Sequence, residues 1–285
     1  MASMGVSVLP AVLLQVALYL TELTKKAADH GHSVAVIESA AYSIRWGHRM
    51  AGVESPSDHP LVKSVIEGAR RKLARPIRPK EPLPNNVLMD IAENLHSSSS
   101  LADIRFLFIL LVGYAGVFRI SETLNIRVQD IQIFDSHMTI SVKKRKNDQY
   151  RRGHVSTIAR SGKCSCPVAI TEKIISLLPD DIDSCHPVVR RIVKSKHGER
   201  FHQSLGISYS TARDSFKSYV GGHVSDISTF GTHSIRIGGC NDPGFKSTDS
   251  ALQDRHAGWK NPKSKFRYLD LSSQELLGVT KSMSI

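Results

Sequence analysis

Between Pro76 and Pro84 the chain reads PIRPKEPLP, four prolines in nine residues. Proline fixes φ and has no N–H to donate, so neither a helix nor a central strand can run through this segment, and an extended connector is what remains. The sequence on either side must therefore find its own core, and we place a domain boundary here: residues 1–78, a connector at 79–84, and residues 85–285. The first part carries apolar residues at helical spacing over Ala11–Lys25, Val34–Ala51 and Pro60–Leu73. The second part predicts helices at 85–97 and 100–115 and one starting near Ser121. Three alternating stretches follow, Asp130–Phe134, His137–Lys143 and His154–Ala159, separated by turn-forming residues, and they predict an antiparallel meander. Helical spacing returns at 167–178, 186–195 and 209–220, with Gly/Ser-rich breaks at 221–232 and 238–247. The expected class is mainly α (α+β): a small helical domain followed by a mostly helical domain with a small three-stranded antiparallel sheet.

Composition narrows the function classes. With 41% hydrophobic and 22% charged residues the chain has globular values and enough length to bury a real core. Four cysteines among 285 residues do not make a secreted disulfide framework, so reduced thiols in an intracellular protein are expected. The longest apolar stretches, Val6–Leu20 and Phe106–Phe118, fall short of the ~20 residues of a membrane span, so no membrane partner is expected. A formal charge of +12 without an anchor instead points to a polyanion.

That charge is clustered. Arg70–Lys80 holds six basic residues in eleven, Lys143–Arg152 holds six against one Asp, and Arg190–Arg200 holds five against one Glu. A single run is most simply a solvated face, but three in one basic chain favour nucleic acid, where each neutralised phosphate releases counterions. Candidate DNA contacts are Arg70, Arg71, Lys72 and Arg75 in the first run and Lys143, Lys144, Arg145, Arg151 and Arg152 in the second. The KKRK at 143–146 also has the form of a nuclear localisation signal, though it ends a strand-like stretch.

Three further pieces carry chemistry. In GYAGVFRISETL (113–124) an apolar helix ends and Arg119 and Glu122 follow, three residues apart. His233-Ser-Ile-Arg236 puts a His and an Arg on one helix face, although a second such pair, His197 and Arg200, shows how little this spacing means alone. Trp259 and Tyr268 lie nine residues apart near the C-terminus, where taken singly they would be core residues. In order and spacing the pieces resemble the tyrosine recombinase (phage integrase) family, which uses an Arg, a hairpin Lys, His-x-x-Arg, a His or Trp, and a Tyr nucleophile. The phrases GYAGVFRISETL, KNDQYRRG, HSIRIGG and HAGWKNPKSKFRY are most similar to recombinases of eukaryotic mobile elements, the DIRS-like retroelements and Cryptons.

The resemblance implies a catalytic set of Arg119, Lys146, His233, Arg236, Trp259 and Tyr268, with Lys144 as the alternative to Lys146 and Glu122 orienting a cationic neighbour. It implies strand cleavage through a 3′-phosphotyrosyl link, with no cofactor, metal or ATP, and no small-molecule substrate. It further implies double-stranded DNA as partner, a homotetramer on two duplexes, an N-terminal DNA-clasping domain, a nuclear location, and docking of Ser272–Val279 on a neighbouring protomer. Two rival classes share these residues: a catalytically silent DNA-binding descendant, and a type IB topoisomerase-like enzyme. The chain departs from the family at Cys240-Asn-Asp-Pro243-Gly, where a helix breaker interrupts the segment after Arg236. Tyr209 and Tyr219 match no family position, His256 reads as structural, and Cys164, Cys166, Cys185 and His186 lack a usual zinc spacing.

Overall fold

The structure, a computed structural model, describes residues 9–76, 78–143, 153–179, 185–196, 198–259, 261, 265–266 and 268–269. The chain divides into two compact units, Met1–Arg78 and Pro79–Ile285. Among the described residues no helix is long and apolar enough to cross a membrane.

The first unit packs three helices, α1 (Leu13–Asp29), α2 (Ala35–Met50) and α3 (Pro60–Lys72). Val16, Ala17, Leu20 and Ala27 of α1 bury one stripe against Ile37 and Ala41 of α2 and Val62 and Ala69 of α3. Proline at the first position of α3 fits there because that N–H has no intrahelical partner. His48 is buried with both ring nitrogens engaged: Nδ1–H donates to Ile44 O at 2.7 Å, and Nε2 accepts from Ala11 N–H at 2.9 Å.

In the second unit α4 (Asn85–Leu95) leads to α5 (Leu101–Ala115), whose FLFILLV run is apolar all round and buried all round. The short α6 (Ile120–Leu124) follows, then β1 (Ile131–Ile133), β2 (His137–Val142) and β3 (His154–Ala159). These form an antiparallel sheet in the order β1-β2-β3, with Ile131 opposite Ile140 and Met138 opposite Ile158. Met138, Ile140 and Val142 point inward from β2 as strand alternation requires. Helix α7 (Pro167–Ser176) packs on α5, and β4 (Arg190–Ser195) pairs with β5 (Gly198–Gly206). The chain continues through α8 (Tyr209–Gly221), α9 (Thr232–Asn241), α10 (Pro243–Ser247) and α11 (Ser250–Ala257).

Two expectations are corrected. Residues 186–195 are not a helix; β4 and β5 form a second, two-stranded sheet. Ile192 and Val193 are β-branched and sit in β4, while the charges around them imitate helical spacing. The stretch 238–247 is not a break either, since it holds the end of α9 and all of α10. Gly238 and Gly239 lie inside α9 because other backbone passes there: a Cβ on Gly239 would sit 2.3 Å from Tyr114 O, and one on Gly238 2.4 Å from Leu83 O. The breaker does interrupt the helix, since α9 ends at Asn241 and Asp242 is extended, but Pro243 then opens α10 behind Asp242, whose Oδ1 accepts from Gly244 N at 2.9 Å.

Candidate active site

The site is built around α9. His233 and Arg236 are one turn apart on it, and the glycines that follow bring the helix onto the C-terminal end of α5. Past that end Val117 adopts φ of 50°, a left-handed conformation that is strained for a β-branched residue by about 1–3 kcal/mol. Its surroundings hold it there. The Val117 N–H donates to Tyr114 O at 3.1 Å, its carbonyl accepts from Arg236 Nη1, and its side chain is buried with Cys240 and Ala257.

This turn delivers Arg119 to the start of α6. The Glu122 carboxylate accepts the Arg119 backbone N–H at 2.9 Å through Oε2 and the Arg119 guanidinium at 2.8 Å through Oε1. Its Oε2 also lies 3.7 Å from Arg236 Nη1, so one buried carboxylate faces both arginines. Arg119 keeps about a quarter of its side chain in solvent, at 23%, whereas Arg236 is 1% exposed.

Helix α11 ends at Gly258 in the left-handed conformation (φ 62°, ψ 38°), which reverses the chain and sends Trp259 back toward α9. Tyr268 reaches the same place through a turn in which its N–H donates to Lys265 O at 2.9 Å. Lys265 is itself held by Ser250 Oγ at 2.8 Å and by Asp254 at 3.6 Å. The Tyr268 ring stacks on Trp259 with centroids 5.9 Å apart, lies 5.4 Å from the His233 ring, and has the Arg236 guanidinium carbon 4.9 Å from its centroid. Five of the six residues singled out in the sequence, spread from 119 to 268, thus converge. The sixth, Lys146, lies outside the described residues, as do Lys144, Arg145, Arg151 and Arg152.

The electrostatics of the site are unbalanced. Arg236 Nη1 is engaged, but Arg236 Nε and Nη2 and the Trp259 Nε1–H are buried with no hydrogen-bond partner among the described residues. Three such donors in one pocket are unusual, because a buried unpaired N–H costs about 1–3 kcal/mol. They suit an anion with several oxygens. Burial pulls the Arg236 pKa down, yet a guanidinium remains charged at any relevant pH. His233 keeps one edge open to water. Desolvation of the remainder, then the charges of Arg236 and Arg119, hold its pKa below the usual imidazole value and favour the neutral ring. Burial pushes the Cys240 thiol up to about 12, so it stays protonated beside Arg236.

Around this centre the structure places residues that the sequence did not mark. Asp130 is buried and pairs with Arg127 at 3.0 Å and with Lys143 at 3.2 Å, fixing the residue that follows β2 at the start of the KKRK run. Arg119, Arg127, Lys143 and Pro187 line one open cleft of about 700 Å³. His154 at the start of β3 donates through Nε2 to His256 O at 3.0 Å, and His256 Nε2 donates to Ala115 O at 2.8 Å. His256 is therefore a structural tie between α11 and α5. Tyr219 stacks on Phe106 and donates to Asp103, and burial raises its pKa, which suits a core residue.

The basic runs divide between structure and surface. Arg70 pairs with Glu38 at 2.8 Å and Glu67 at 3.3 Å, Arg71 lies 3.7 Å from Glu67, and Arg75 donates to Gly31 O at 3.0 Å, while Lys72 is exposed. In the third run Arg190 is fully buried, with its guanidinium donating to the carbonyls of Pro187, His202 and Gln203. Arg191, Lys194, Lys196 and Arg200 of the same run are exposed, and Lys194 pairs with Glu199 at 3.1 Å.

No protein-family profile matches the chain. An integrase/recombinase xerD homolog of Selenomonas ruminantium is 24% identical over 267 residues, covering 93% of this chain and 75% of that protein. Among solved structures, the Tn1549 transposon integrase in complex with circular intermediate DNA superposes with a TM-score of 0.61 at 12% identity, covering 95% of this chain and 85% of that one. The XerH site-specific recombinase bound to a palindromic difH substrate, a post-cleavage complex, gives 0.61 at 14% identity, covering 97% and 73%. A lambda integrase dimer bound to a COC′ core site gives 0.53 at 14% identity, covering 94% and 68%. The mostly helical architecture with small antiparallel sheets is thus the fold of these integrases and recombinases.

Proposed function

We propose that this chain is a tyrosine-type site-specific DNA recombinase or integrase that breaks and rejoins strands through a 3′-phosphotyrosyl intermediate. The observation that carries this reading is the set of three buried N–H donor atoms of Arg236 and Trp259, without a partner among the described residues, beside the ring of Tyr268. Attack of the Tyr268 oxygen on a backbone phosphorus forms a P–O bond to tyrosine and breaks the bond to O5′. The phosphorane-like transition state carries excess negative charge on its non-bridging oxygens. Arg119 and Arg236 offer planar forks of N–H donors to those oxygens, and the Trp259 indole adds one more.

Tyrosine is mostly protonated at neutral pH, with an ordinary pKa near ~10, so its proton must go elsewhere as it attacks. Neutral His233 beside the ring is suited to accept it. The departing O5′ takes a proton, a role that falls to Lys146, or Lys144, in the sequence between β2 and β3. The phosphotyrosyl bond keeps the energy of the broken diester, so a free 5′-hydroxyl reverses the step and restores the tyrosine without ATP. Glu122 orients the two arginines. Double-stranded DNA is the partner, held in part by the first unit and the basic runs, with four protomers on two duplexes during exchange. The likeness of the local phrasing to recombinases of DIRS-like elements and Cryptons supports a eukaryotic host element, in which KKRK would serve nuclear entry.

The test is to incubate the protein with supercoiled DNA of its own element in EDTA, digest the DNA, and search for a peptide–DNA adduct by denaturing gel and mass spectrometry. The expected adduct maps to Tyr268 and disappears in Tyr268→Phe. Tight, salt-sensitive binding without any adduct would instead mark a silent DNA-binding descendant.

A further inference from the structure

We propose that Asn241 is a positioning residue for the nucleophile, tying the backbone of Tyr268 to the helix that carries His233 and Arg236. This rests on the function proposed above. Asn241 is the last residue of α9, five beyond Arg236. Its Nδ2 donates to Tyr268 O at 2.6 Å and to Ile237 O at 2.9 Å, so the amide is locked to the preceding turn of its own helix while it holds the main chain of Tyr268. The turn itself is closed by the Tyr268 and Leu269 N–H groups on Lys265 O, and Lys265 is fastened to α11 through Ser250 and Asp254.

Two side chains from two directions therefore hold the turn, and of these it is Asn241 that grips the nucleophilic residue itself. The consequence is geometric. A rigid connection from Arg236 through one turn of α9 to the Tyr268 carbonyl fixes the tyrosine relative to the cation that binds the phosphate. A shift of about 1 Å in a reacting group lowers a rate by up to about 100-fold, so loss of this tie should act on the cleavage step and not on DNA affinity.

The experiment uses the full chain and a nicked duplex that traps the covalent adduct. Asn241→Ala, and Asn241→Asp with the same shape but no donor, are expected to slow adduct formation by about 10- to 100-fold while the Kd for the duplex stays within about twofold of the parent. The discriminating arm removes the tyrosine. In a Tyr268→Ala background hydrogen peroxide is supplied as nucleophile: one peroxide oxygen gives up its proton and bonds to phosphorus, the P–O5′ bond breaks, and O5′ takes up a proton. Adding Asn241→Ala there is expected to leave the peroxide-driven rate unchanged, because no tyrosine remains to be placed. An equal fall in the peroxide rate would mean that Asn241 acts on α9 and Arg236, and parental adduct formation in both Asn241 variants would mean that it holds nothing that matters; either result overturns the proposal. Should Asn241→Ala lose DNA binding through misfolding, the isosteric Asn241→Asp decides. Absence of any adduct in the parent is a failure of the recombinase reading, distinct from these outcomes.

Discussion

Arg236 illustrates how one residue changes meaning between sequence and structure. As half of an HxxR pair it is weak evidence, since the chain contains a second pair at His197 and Arg200. Placed at 1% exposure with Glu122, Val117 O, Trp259 and Tyr268 around it and Nε and Nη2 without a partner among the described residues, it is a buried cation, which is what the proposed role of binding a phosphate requires. His233 shows the same dependence on neighbours, and its depressed pKa has a definite sign in stability. Because the folded ring resists protonation, the unfolded chain binds more protons at this site between the depressed value and the ordinary 6.5. Its contribution is present above about pH 6.5 and is lost as pH falls through that window. Denaturant midpoints at pH 7.5 and 5.5 should therefore drop more for the parent than for His233→Gln, which has no proton to gain. An equal drop in the two proteins would show that the environment of His233 does not perturb it.

At the scale of elements, helices α1 to α8 and the first sheet were legible because their signals are local, whereas α10 and α11 were not read from the sequence. The alternation His137–Lys143 and the all-apolar FLFILLV need no tertiary context to be read as strand and buried helix. Helix α9 did need it. Two adjacent glycines followed by CNDPG signal a break, and only the passage of Tyr114 O and Leu83 O against them explains why they lie inside a helix. Gly239→Ala should accordingly destabilise despite the better helix propensity of alanine. The Cβ would meet a main-chain carbonyl at 2.3 Å, and overpacking of this kind costs about 1–3 kcal/mol against a propensity gain of about 1 kcal/mol. A lower thermal midpoint for Gly239→Ala is the expected result, and an unchanged or raised one would mean that α9 can move off α5. Strand β4 misled in the opposite direction, because its pairing with β5 is a tertiary choice that charge spacing concealed.

At the scale of the whole molecule, the charge of +12 is a sum that the fold divides into structural and available parts. Arg190 serves the interior, and Arg70 and Lys194 answer carboxylates of their own chain. Arg191, Lys196 and Arg200 stand exposed on the β4–β5 ribbon. If DNA is the partner, log K against log salt should fall steeply for the parent. A variant with Arg191, Lys196 and Arg200 all changed to Gln should have a slope shallower by about 0.9 for each phosphate that those side chains neutralise. A parental slope in the triple variant would assign the ribbon to solvent and leave the binding to other charges.

Sequence alone determined the pieces whose physics is local: the proline connector that no helix or strand can cross, most of the amphipathic helices, the alternating strands, and a set of cationic and aromatic residues whose order resembles that of tyrosine recombinases. It could not say that those residues meet, because convergence of positions 119, 233, 236, 259 and 268 depends on how α5, α9 and α11 pack. It also could not show that Asn241, Asp130 and His154 hold the parts together. An amide, a carboxylate and an imidazole are ordinary surface residues until a partner distant in sequence arrives within hydrogen-bonding distance, and that arrival is decided by tertiary packing.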